Sequence, residues 1–151
     1  MKFKTMFIQN WGTFTNETMV CVGVTKTEVL KYLRKVNARP DLIKKLEDKR
    51  FDTEDKAAFV WTPSNTGCTL LWMSEFLGND EDMFTLVHET NHLLYDISRD
   101  KGFQNEAEIN AYQQEYLFKQ IWTELKKRKK KFGIKSSTKK RQYEKRKRSK
   151  P

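Results

Sequence analysis

The chain has 151 residues, 37% of them hydrophobic and 13% aromatic, which suits a single domain with a modest core. No apolar run approaches the roughly 20 residues that a bilayer span needs, and Met1-Lys-Phe-Lys lacks the apolar stretch of a secretory signal, so a cytoplasmic protein without a membrane role is expected. The net charge of +10 is unevenly spread: residues 126–151 hold fifteen Lys and Arg against the one acid Glu144, while residues 1–125 hold fifteen against nineteen acids.

Residues 3–9 and 18–24 are rich in Phe, Ile, Val, Met and Cys and flank turn formers, which predicts a β-hairpin or two short strands. A helix is expected to open at Thr25-Lys-Thr27, with Thr27 as its cap and Val29, Leu30, Leu33 and Val36 on one face. Pro40 stops it, and Asp41 to about Lys49 forms a second short helix. Residues 57–62 and 69–76 read as two strands around the turn chemistry of Pro63-Ser-Asn-Thr-Gly67. Cys21 and Cys68 each sit in a strand-like run without a CxxC partner, so buried free thiols are expected. A helix from about Glu81 to Ser98 follows, capped by Asn79 or Asp80 and ended at Gly102. A last helix is expected from about Glu106 to Lys131, with Ile109, Tyr112, Tyr116, Leu117, Ile121 and Leu125 at helical spacing. Beyond Gly133 the Lys, Arg, Ser and Gln composition predicts disorder.

The segment His88-Glu89-Thr-Asn-His92 spells HExxH and contains both histidines of the chain. On a helix, residues four apart share one face roughly 6 Å apart along the axis, so two imidazoles can reach one metal ion at about 2.0–2.1 Å each. Zinc suits such a pair, and Glu89 then lies beside the metal, where it can take a proton from zinc-bound water. A third protein ligand is required, and Asp96, Glu106, Glu108 and Glu115 are the candidates. Asp96 lies a further turn along the same helix and reads better as a supporting or solvated acid. Glu106 and Glu108, fourteen and sixteen residues after His92, open a helix that can pack across the first. Tyr95, Arg99 and Tyr112 are nearby candidates for stabilising a transition state.

His88-Glu-Thr-Asn-His92, a glycine-ended turn and then Glu108-Ile-Asn-Ala111-Tyr112 together resemble the small HExxH proteins common in bacteriophage genomes, which are similar to gluzincin metallopeptidases. The resemblance covers about residues 57–122. It implies Glu108 as the third ligand, because the family's glutamate precedes x-x-Ala-Tyr. It also implies an edge strand ahead of the motif helix that binds extended substrate by β-addition, here Thr69, Leu70, Leu71, Trp72, Met73 and Ser74. The implied fold is α+β and zincin-like, with a small mixed or antiparallel sheet of about four strands packed by the motif helix and the long helix after it.

The domain is expected over 1–125, with a basic tail over 126–151. Lys126, Lys127, Arg128, Lys129, Lys130 and Lys131, then Lys145, Arg146, Lys147 and Arg148, are dense like-charge blocks that attract polyanions by counterion release. Nucleic acid is the simplest partner, and the scarcity of aromatics, Phe132 and Tyr143 alone, argues against a single-strand stacking platform. Two functions are expected from these features. One is a zinc-dependent peptidase using Glu89. The other is an inactive zincin-like phage structural or accessory protein held on nucleic acid by its tail.

Overall fold

A computed structural model describes residues 2–10, 17–49, 57–64, 66–102 and 107–148, the side chains at 10, 100, 101 and 134–148 excepted. Runs of β-branched and apolar residues form four strands: β1 (Thr5–Asn10), β2 (Glu17–Val22), β3 (Ala58–Trp61) and β4 (Cys68–Met73). They make one mixed sheet in the order β1-β2-β4-β3. The expected hairpins are both present, since β1 pairs antiparallel with β2 and β3 antiparallel with β4. The parallel pair is β2 with β4, and its crossover runs through two helices, α1 (Lys26–Lys35) and α2 (Pro40–Asp48).

The inner strands are buried on both faces, which explains why Met19-Val-Cys-Val22 and Leu70-Leu-Trp-Met73 read as continuous apolar runs rather than alternating ones. Val20, Val22, Leu71 and Met73 pack with Phe76, which follows β4, and with Leu86, Leu93, Ile97, Leu117 and Ile121 from α3 (Asp80–Lys101) and α4 (Ala107–Arg148). Met19, Cys21, Leu70 and Trp72 point the other way, onto Val29, Leu33, Leu42 and Leu46 of α1 and α2. The α+β class is as expected. The second helical layer, which shields the opposite sheet face, adds to the architecture read from sequence. No helix among the described residues is long and apolar enough to cross a membrane.

The cap of α1 is Thr25 rather than Thr27. Thr25 Oγ1 accepts from the Glu28 N–H, and the Glu28 carboxylate accepts from the Thr25 N–H at 2.8 Å. This reciprocal pair needs Thr-x-x-Glu spacing, which Thr25 has and Thr27 lacks. The Lys4 ammonium and the Thr25 N–H hold the Glu28 carboxyl down at about 2. Pro40 starts α2 at its first position, where its missing N–H costs nothing. Asn79 caps α3 as expected, and Gly102 ends it in the left-handed region at φ 77°.

The largest departure concerns the C-terminal segment. Residues 107–148 form one continuous helix, so the expectations of a helix end near Lys131 and of disorder beyond Gly133 are corrected. The expected boundary between 125 and 126 also falls inside a docked stretch of helix. Arg128 lies 4.5 Å over the Phe7 ring and donates to Glu124 at 2.6 Å. Lys129 donates to the Phe76 carbonyl at 3.1 Å and to the Leu77 carbonyl, and Phe132 sits edge-on to Phe3 at 5.6 Å. A count of charge does not reveal this, because basic side chains pack their stems and planes on aromatic rings and cap free carbonyls.

Candidate metal centre on the α3 helix

The motif helix lies against one face of the sheet through Leu86, Leu93, Leu94 and Ile97. His88 and His92 are thereby left on its exposed side, one turn apart. Their Nε2 atoms are 3.0 Å apart, with ring centroids at 4.7 Å and ring planes at 79°. Ligands at about 2.0–2.1 Å from one ion and 3.0 Å from each other would subtend roughly 90–97° at it, short of the ~109° of a tetrahedron, which a parting of the two nitrogens by about 0.3–0.4 Å would restore. The pair therefore fits zinc as two of its ligands. The same separation also suits a direct N–H···N bond, in which one Nε2 carries a proton and the other accepts.

Glu89 turns inward and is buried, 7% exposed. It shares a cleft of about 350 Å³ with His92, Tyr95 and Asp96 from α3 and with Ala58, Phe59 and Val60 from β3. Thr90, inside the motif, donates to the Leu86 carbonyl at 2.8 Å and faces the core, so it has a packing role.

The other candidates divide. Asp96 lines the cleft and lies 3.5 Å from Arg99, as suits a supporting acid. Glu115 pairs with Lys119 on the exposed side of α4. Glu108 is exposed in the first turn of α4, and Glu106 lies outside the described residues. Among the described residues no group of three His, Cys, Asp or Glu is gathered, so Glu108 is not brought to the two imidazoles there. Tyr95 lines the cleft and is 61% exposed, while Tyr112 is exposed on α4.

The expected substrate strand is corrected. Thr69, Leu70, Leu71, Trp72 and Met73 belong to β4, which is paired on both sides and buried, and Ser74 is the exposed residue after it. Its backbone groups are used in ladders with β2 and β3 and cannot accept another strand. The edge strand beside α3 is β3. The uninterrupted apolar run in β4 was the available signal, since it marks a strand covered on both faces.

The cysteines stay outside this chemistry. Cys21 and Cys68 are free thiols. Burial pushes both up, Cys68 to about 11, so neither offers a thiolate near neutral pH. Among the basic residues, Arg128 and Lys129 are committed to the body as described above, and Lys127 lies 3.7 Å from Glu124. Lys130 and Lys131 are exposed, and Lys145, Arg146, Lys147 and Arg148 lie on α4 outside the described side chains. In comparisons with known proteins, no family model, no curated protein and no solved structure matched the chain.

Proposed function

We propose that this chain is a zinc-dependent peptidase of the HExxH type, with His88 and His92 as metal ligands and Glu89 as general base. The observation that carries the reading is the 3.0 Å approach of the two Nε2 atoms beside a cleft that also holds Glu89. Zinc, when bound, polarises a carbonyl and acidifies a water molecule. Glu89, buried at the cleft between α3 and β3, would take that proton and return it to the departing amine in this reading. The outer edge of β3, which pairs with no second strand among the described residues, would offer main-chain groups to an extended peptide running past Glu89, His92 and Tyr95. Glu108 is not gathered with the two imidazoles, so Glu106, outside the described residues, is the candidate third ligand in this reading. The resemblance to phage HExxH proteins favours a role in the host cytoplasm or the virion.

Metal content tests this directly. Purified wild-type chain is expected to retain zinc after desalting, and His92→Ala to lose at least nine-tenths of it, because one imidazole cannot hold the ion alone. Equal and negligible zinc in both proteins would sink the reading.

A second reading, nucleic-acid contact through the basic end of α4, is favoured by the exposed Lys130 and Lys131 and by the continuous helix beyond them. Binding to a duplex oligonucleotide is expected to weaken steeply with salt, with log K falling by about 0.9 per phosphate neutralised. Deleting residues 134–151 should flatten that slope. A slope unchanged by the deletion would place the contact elsewhere.

A further inference from the structure

The exposed side of α3 carries more than the imidazole pair. At 3.6 residues per turn, Glu81, Phe84, His88, His92, Tyr95 and Arg99 fall within about 100° of the helix circumference. All six are exposed, Phe84 by 67% and Tyr95 by 61%. Large aromatics left this open on either side of a ligand pair call for a covering surface.

The stripe is also self-complementary. Read towards either end from residue 90, it gives imidazole, aromatic and charge: His88 and His92, then Phe84 and Tyr95, then acidic Glu81 and basic Arg99. Such an arrangement matches a second copy of itself turned by a two-fold axis, since an isologous contact sets residue i against j and j against i. Antiparallel packing of two α3 helices about residue 90 would set Phe84 against the second copy's Tyr95. It would likewise set Glu81 against the second copy's Arg99, which within its own chain lies 3.5 Å from Asp96. The axis itself would gather four imidazoles.

We propose that two copies of this chain pair through α3 around one shared zinc ion. The proposal rests on the metal-binding half of the reading above and adds a control to it. A closed zinc site takes four protein ligands, and one chain gathers two imidazoles among its described residues. Two copies supply the set. Four imidazoles leave no position for water, so the dimer is a resting form, and separation of the copies exposes His88, His92 and the cleft beside them.

Sedimentation of the full chain, with zinc counted per chain, tests this. With zinc, a dimer carrying half an equivalent per chain is expected, and with EDTA a monomer. Glu81→Arg sets like charges across the axis and is expected to weaken the zinc-loaded dimer about tenfold or more. Adding Arg99→Glu to it restores the pair in reverse and is expected to recover the dimer. A zinc-loaded monomer with one equivalent per chain overturns the pairing and leaves the metal site standing. A dimer indifferent to EDTA and to Glu81→Arg also overturns it. A chain that binds no zinc overturns both readings.

Discussion

Replacing Glu89 with Gln is expected to leave zinc content unchanged and to lower kcat on a cleavable peptide by about 10²–10⁴-fold. The substitution keeps the size of the side chain and one oxygen that accepts hydrogen bonds, and exchanges the other oxygen for an N–H donor. The residue stays 7% exposed in a cleft shaped by β3 and α3, so the packing is retained. What disappears is a group that can hold a proton in transit. Because extended substrate would be held by the β3 edge rather than by Glu89, KM should move little while kcat falls, the signature of an interaction used only in the transition state. His92→Ala differs in kind, since it removes the ion and with it both binding and turnover. A Glu89→Gln protein that still cleaves the peptide at the wild-type rate would move the base elsewhere.

The parts of the fold that were legible in the sequence were those with local causes. The two hairpins followed from apolar runs around turn residues, and the α3 boundaries followed from Asn79 and Gly102, whose capping geometry is set within one turn. The imidazole pair was legible for the same reason, because an i, i+4 spacing on a helix determines its own geometry. Strand order was not legible. That β4 lies inside the sheet depends on a parallel pairing with β2, across a crossover of two helices, and no local pattern encodes that partner. The buried run Leu70-Leu-Trp-Met73 carried the hint in its lack of alternation, yet the resemblance to an edge strand ahead of a motif helix pointed the other way.

The cap of α1 shows a finer version of the same limit. Thr25 and Thr27 are equally good hydroxyl acceptors, and only the glutamate three residues after Thr25 separates them. The third metal ligand had no such arbiter. Acids in the first turn of a helix are favoured by the helix dipole whether or not a metal is near, so Glu106 and Glu108 carried the same local signal.

The C-terminal helix separates charge from packing, and two truncations should expose the difference. A chain ending at Gly133 is expected to melt within a few degrees of the full protein, since it keeps the described core up to Leu125 and the docking contacts up to Phe132. A chain ending at Leu125 loses the Arg128 guanidinium over Phe7, the Lys129 bonds to the Phe76 and Leu77 carbonyls and the Phe132 contact with Phe3. A cation over an aromatic ring contributes about 0.5–2 kcal/mol and a charged hydrogen bond about 1.5–3 kcal/mol. Partial exposure reduces these, and Arg128 keeps 37% of its side chain in solvent, so a total loss of about 2–4 kcal/mol is expected. For a chain of this size that corresponds to a fall in Tm on the order of 10 °C, readable by thermal denaturation. Equal melting of the two truncations would return residues 126–133 to the status of a solvated tail. A large gap between them would place Arg128, Lys129 and Phe132 in the body of the domain and leave Lys130, Lys131 and the later residues of α4 to meet a polyanion.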